Sequence, residues 1–153
     1  MSVLEKIKEE KATNRNDQRK IAFNYLFDNA LEFDDTMPSK FYLFEYKPKY
    51  LRQLKHWDRY PLVLMLEQYG NGGFLGANLH YLTQKSRILF VEKYLNKSVT
   101  IKDHLLHRYI PEKADNIFFS INEKDLLDYA ALNIEQFYDS NNRFLSSTKI
   151  QKS

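Results

Sequence analysis

All four glycines of the chain fall between Gly70 and Gly76, in the run Tyr69-Gly70-Asn71-Gly72-Gly73-Phe74-Leu75-Gly76. Asn-Gly between two apolar runs is the strongest short-range hairpin signal, because both residues accept positive φ at little steric cost. The spacing therefore predicts two tightly joined antiparallel strands, one from Leu62 to Tyr69, opened by Pro61, and one from Phe74 to Leu82. Gly76 inside the second strand marks a bulge or a close backbone approach. A phosphate-cradling loop would lead into a helix N-terminus, whereas this cluster joins two strands, so the turn reading is preferred. Pro61, Gly72, Gly73 and Gly76 are read as structural. Asn78 and His80 alternate on one face of an otherwise apolar strand, either as buried polar groups that fix a turn by hydrogen bonds or as a recognition pair, with the first reading preferred.

The rest of the chain arranges itself around that hairpin. Residues 1–16 are charged and poor in apolar groups, which reads as a solvated or partner-dependent helix adding little to a core. From Asp17 to Leu31, Ile21, Ala22, Tyr25, Leu26 and Leu31 recur near the helical period, and Met37-Pro38-Ser39 ends the pattern. Phe41 to Tyr46 is strand-prone and stops at Lys47-Pro48. Thr83 can cap a helix running to Leu95. Thr100 to Ile110 is predicted as a shorter helix ahead of Pro111, and 117–121 as a strand. Residues 122–137 fit a helix by spacing, although a strand over 129–132 is an alternative. The segment from Ser140 is polar and read as mobile or ordered by a partner. The expected organisation is a charged N-terminal arm (1–16), one domain (17–139) and a polar, basic tail (140–153). The expected fold class is α+β, a small antiparallel sheet or SH3-like barrel with flanking helices.

Composition narrows the chemistry. A 153-residue chain with 43% hydrophobic and 15% aromatic residues can bury one core, and no stretch nears the roughly 20 apolar residues of a membrane span. The absence of cysteine removes thiol catalysis and thiolate metal sites. There is no HExxH, G-x-S-x-G or phosphate-loop spacing, so no catalytic residue and no cofactor is assigned. His104 and His107, three apart on the predicted helix, would share a metal only with a third ligand such as Asp103 or Glu112, and plain surface histidines are the preferred reading. Acidic pairs, Asp34-Asp35 or Asp125 with Asp128, are the candidates for a divalent ion in a nuclease, but the predicted strands carry almost no acid beyond Glu45 and Glu67.

Net charge is only +3, yet its distribution is uneven. Lys40, Lys47, Lys49, Arg52, Lys55 and Arg59 face only Glu45 and Asp58 in the same twenty residues, while Asp28, Glu32, Asp34 and Asp35 form an acidic patch upstream. Tyr46 to Tyr60 interleaves cations with Tyr50, Trp57 and the two flanking tyrosines, the mixture that neutralises phosphates and stacks bases. The plainer alternative is that Trp57 and Tyr60 pack inward while the cations solvate a loop. Lys47, Lys49, Arg52, Lys55, Trp57 and Arg59, with Arg143 and Lys149 of the tail, are the candidate nucleic-acid contacts.

Three runs carry a family resemblance: Phe41-Tyr42-Leu43-Phe44-Glu45-Tyr46-Lys47-Pro48-Lys49, Trp57-Asp58-Arg59-Tyr60-Pro61-Leu62-Val63, and Gly73-Phe74-Leu75-Gly76-Ala77-Asn78-Leu79-His80-Tyr81-Leu82. Together with Leu106-His107-Arg108-Tyr109-Ile110 and the later 117–121 and 134–137 segments, the chain resembles a small family of tailed-bacteriophage proteins, the DNA end protectors associated with the packaged genome end. It departs from that pattern at Trp57 and Arg59, where relatives tend to carry tyrosine and an uncharged residue. The resemblance implies a non-enzymatic virion protein of the genome end or head-to-tail region that binds linear double-stranded DNA ends and other virion proteins. It implies presence in the host cytoplasm during assembly and then in the virion, without a membrane partner. The alternative is a structural adaptor of neck, tail or baseplate with no direct DNA contact.

Overall fold

Strand β1 (Phe41–Phe44) has all four side chains buried, and their alternation divides the interior into two layers. In the computed structural model, which describes residues 3–11, 14–28, 39–70, 72–112 and 118–153, Phe41 and Leu43 join one apolar cluster while Tyr42 and Phe44 join another. Successive strand side chains point to opposite faces, so a strand buried on both must be apolar throughout. Fully burying each such side chain is worth about 1.5–3 kcal/mol relative to exposure.

Strand β1 lies inside a five-stranded antiparallel sheet ordered β5-β4-β3-β1-β6, with β3 (Leu62–Gln68), β4 (Phe74–Asn78), β5 (Leu106–Tyr109) and β6 (Phe118–Ser120). One face is covered by the helices α1 (Val3–Glu9), α2 (Arg15–Asp28), α3 (Gln84–Leu95) and α4 (Glu123–Ala131), through Ile7, Ile21, Phe90, Val91, Leu126 and Tyr129 among others. The opposite face carries an aromatic layer of Tyr46, Trp57, Phe74 and Tyr109. Against that layer runs a three-stranded sheet ordered β2-β7-β8, with β2 (His56–Asp58), β7 (Phe137–Asp139) and β8 (Phe144–Leu145). The architecture is α+β with antiparallel sheets. Both sheets are open, so of the two expected forms the small sheet, not the closed barrel, is found.

The hairpin between β3 and β4 forms as expected. Tyr69 N donates to Gly73 O at 2.8 Å and Gly72 adopts φ 82°, a conformation that favours glycine. The irregularity anticipated at Gly76 lies on the partner strand, where the register steps from Met65↔Gly76 to Glu67↔Leu75 and leaves Leu66 extra. Gly76 itself is a close approach: a Cβ there would sit inside the contact distance of Val63 Cγ1 and 3.3 Å from Leu64 O. Pro61 is buried immediately before β3.

Four expectations need correction. The strand predicted to run to Leu82 ends at Asn78, whose Oδ1 accepts from His80 N at 2.9 Å and turns the chain into a 3₁₀ turn, Leu79–Tyr81. The helix predicted over 100–110 is a 3₁₀ turn, Asp103–Leu105, followed by β5, because the period-2 set Leu105, His107 and Tyr109 coexists with the helical spacing and pairing with β4 satisfies that edge. Helix α1 adds more to the core than its composition suggested, since Val3 and Ile7 are buried. The tail is fastened: Lys152 N donates to Tyr81 O at 2.9 Å and Thr83 N to Lys152 O at 3.2 Å.

Elsewhere the expected elements appear. Thr83 Oγ1 accepts from Ser86 N and caps α3. The ambiguous 122–137 segment is helix α4 followed by β7, with Leu126, Tyr129 and Ala130 buried at helical spacing. The acidic residues Glu32, Asp34 and Asp35, the helix end at Leu31, the Met37-Pro38 break, Asn71 and Ile117 lie outside the described residues, as do the side chains of residues 15, 16, 23 and 26–28.

Candidate nucleic-acid interface

The basic aromatic segment leaves β1 at Tyr46 and returns through β2, so its two ends run side by side. Tyr46 N donates to Arg59 O and Arg59 N to Gln136 O, each at 2.8 Å. Lys49 N donates to Ile110 O and Glu112 N to Lys47 O, with a Pro48↔Pro111 bridge between them. On the far side β2 pairs with β7, placing Trp57 opposite Tyr138. These bonds fix the backbone on both flanks of a cleft of about 240 Å³. Buried Tyr46 and Trp57 and half-buried Pro48 and Leu51 line it, and Lys47, Arg59, Glu112 and Asn142 supply its polar groups.

The rings are held by specific contacts. Trp57 Nε1 donates to Asp139 O at 3.2 Å, one indole face stacks on Tyr138 at 5.1 Å between centroids, and Tyr46 meets it edge-on at 6.4 Å. Burial pushes the Tyr46 phenol up to about 12, so it stays neutral while accepting from Ile110 N. The cations are less committed. Glu45 Oε1 lies 3.6 Å from Arg59 and 3.8 Å from Lys47, so one exposed carboxylate serves two cations at long range. Lys49 rests over the Tyr50 ring at 5.6 Å. Arg52 and Lys55 are exposed and form no ion pair among the described residues.

Of the predicted contacts, the fold gathers Lys47, Trp57 and Arg59 at the cleft, with Lys49, Arg52 and Lys55 on the loop that leads into it. Arg143 is exposed one residue past Asn142, at the β7–β8 turn. Lys149 sits on a 3₁₀ turn beyond β8 and does not line the cleft. Trp57 itself is only 7% exposed, so much of the inward-packing reading applies to it. Sequence reasoning missed Glu112, Asn142 and Tyr138, which are distant in the chain and carry no local signal.

It also missed Asp58, counted there only as an anion. Asp58 is buried beneath the loop and accepts four bonds, from Tyr60 N (3.2 Å), Gln136 N (3.1 Å), Asn78 Nδ2 (3.1 Å) and His80 Nδ1 (2.7 Å). Burial alone would raise its carboxyl; the His80 charge and the hydrogen bonds from His80, Asn78 and Gln136 outweigh that and hold it below the ordinary value. Asn78 and His80 are thus the buried turn-fixing pair, both wholly inaccessible. Beside them, His56 Nδ1 lies 3.0 Å from the Tyr81 hydroxyl, and His107 stacks on Tyr81 at 4.2 Å. Burial lowers His107 to about 4 and it is neutral at physiological pH. His104 and His107 do not share a helix face, because His107 is on β5 with Nε2 turned 3.2 Å from His104 O. Among the described residues, no three His, Asp or Glu side chains gather as a metal site would require.

A family model described as Phage T4 terminal DNA protecting protein matches residues 1–102. No curated protein and no solved structure matches the chain. The matched span holds the basic aromatic segment, the hairpin and Asp58, while Glu112 and Asn142 lie beyond it.

Proposed function

The chain belongs to the Phage T4 terminal DNA protecting protein family, and on that footing we propose that it binds the ends of linear duplex DNA and shields them without itself catalysing a reaction. The observation that carries the reading is the cleft, where Lys47 and Arg59 meet Tyr46 and Trp57 at the mouth of a loop bearing Lys49, Arg52 and Lys55. Cations neutralise phosphates, and a structure pinned by backbone hydrogen bonds offers them in a fixed arrangement. Occupying an end in this way denies it to an exonuclease. The protein would act on the packaged genome, meeting DNA and other virion proteins during assembly in the host cytoplasm and remaining in the particle.

A structural adaptor with no DNA contact is the second reading. It is favoured by the half-exposed Leu89 on α3, which lines a groove where Phe90, Val99 and Leu105 mix with Lys93 and Lys102. Binding to blunt linear DNA and to a closed circle of the same sequence separates the two. End binding predicts preference for the linear form, lost in a Lys49, Arg52, Lys55 and Arg59 to Ala variant. If four phosphates are neutralised, affinity falls about a hundredfold between 50 and 200 mM salt. Absence of binding to either DNA at both salts overturns the proposal and leaves the adaptor.

A further inference from the structure

We propose that the cleft beside Trp57 receives a single unpaired nucleotide at the DNA terminus, so that an end is recognised by its capacity to release a base. This rests on the DNA-end reading above and specifies the chemistry of the site.

Size is the first argument. The cleft, at about 240 Å³, falls below the roughly 300–1,000 Å³ of pockets that hold drug-sized ligands. It suits one base with part of its sugar, and a stacked base pair is too wide to enter. Chemistry is the second. Half-buried Leu51 and the small exposed parts of Tyr46 and Trp57, 4% and 7% of their surfaces, give the cleft an apolar floor, and contact with such a floor tolerates any sequence because every base has a π-face. Lys47 and Arg59 stand at the same opening, each with a long contact to Glu45 that a phosphate can replace, while Arg59 also donates to Tyr138 and lies 5.7 Å from the Tyr60 ring. Asn142 and Glu112 add an amide and a carboxylate, which together can donate to and accept from a base edge.

Topology is the third argument. Within a duplex the bases are paired and stacked, so the side of the helix presents phosphates and groove edges but no free base. Only a terminus frays or overhangs, at the modest cost of unstacking one step. A one-base cleft with cations at its mouth therefore discriminates an end from an interior without reading sequence. The walls are ready before binding, because Tyr46, Lys49, Arg59 and Glu112 all have their backbone N–H groups bonded across the cleft's flanks.

Trp57 is the only tryptophan in the chain, so its fluorescence reports on this cleft alone. The full-length protein is titrated with three DNAs of one duplex sequence, sealed by hairpins at both ends, blunt, or carrying a one-nucleotide overhang. The expected result is binding to the overhang at least tenfold tighter than to the sealed duplex, with a change in Trp57 emission that the sealed DNA does not cause. Leu51→Phe, which adds a ring inside the cleft, abolishes both the preference and the emission change while salt-dependent binding to the sealed duplex persists. Asn142→Gly, on an exposed turn at φ 61° where glycine is at ease, removes the amide without disturbing the core and reduces the preference several-fold. Preference for open ends with unchanged Trp57 emission and no response to either variant would keep end binding and overturn the cleft as its site. Equal affinity for all three DNAs, or none for any, would overturn both.

Discussion

Replacing Asp58 by Asn keeps the side chain's shape and removes its charge, which isolates what the buried carboxylate does. One oxygen, Oδ1, can still accept from Tyr60 N and Gln136 N. The other becomes an amide nitrogen facing two groups that donated to it, Asn78 Nδ2 at 3.1 Å and His80 Nδ1 at 2.7 Å. His80 can free Nδ1 of its proton only by holding one on Nε2, an atom buried with no hydrogen-bond partner among the described residues, where the donor stays unmatched. Losing a charge-assisted bond costs about 1.5–3 kcal/mol, and a stranded buried donor about 1–3 kcal/mol. The variant escapes the expense of burying a carboxylate, which offsets part of this. A net loss of about 3 kcal/mol follows, or about 6–12 °C in Tm for a chain of this size. Differential scanning calorimetry of the two proteins at pH 7 measures it. The sign with pH is also fixed. Because the folded Asp58 carboxyl sits below its ordinary value of 3.8, its contribution is full above that pH and is lost as pH falls through the lower folded value. Asp58→Asn should therefore lose that acid sensitivity as well as melt earlier. A Tm within about 1 °C of the parent would refute the view that this network holds the loop.

Gly76→Ala places a methyl against Val63, a branched and buried side chain, and should cost about 1–3 kcal/mol by overpacking, read as a lower denaturant midpoint. Gly70→Ala, which meets nothing within 4 Å, is the matched control and should stay within about 0.5 kcal/mol of the parent. His107 titrates near 4 when folded and near 6.5 when exposed, so the unfolded chain takes up the proton first and stability should fall as pH drops from 6.5 towards 4. His107→Phe should flatten that part of the stability profile, and an unchanged slope would show that other groups produce it.

What the sequence revealed depended on how local the physics was. The hairpin between β3 and β4, the Thr83 cap and the helical spacing of α3 are decided by a few neighbouring residues, and all appear as read. Thr100 to Ile110 failed because Leu105 and Tyr109 fit a helix four apart and, with His107 between them, fit a strand by alternation, and the open edge of β4 decides between the two only after the sheet exists. The cleft was half legible. Lys47, Trp57 and Arg59 stand out in a short basic aromatic run, whereas Glu112 and Asn142 reach it from strand ends far along the chain. Asp58 looked like an ordinary surface acid because its partners, Asn78, His80 and Gln136, are 20 or more residues away.

The pairing of Trp57 with Tyr138 also sets a timetable. Closing a loop of about eighty residues is slow relative to forming the local hairpin at Gly72, because the entropy of closure comes due before the long-range contacts form. The cleft's second flank therefore assembles late, after β7 and the turn at Asn142 have been made. A chain still emerging from the ribosome would carry the cations of residues 47–59 but no finished cleft, and would meet nucleic acid only through loose electrostatics. On the proposed reading, competence to hold an end arrives with the completed fold, which ties the timing of capture to the supply of finished protein.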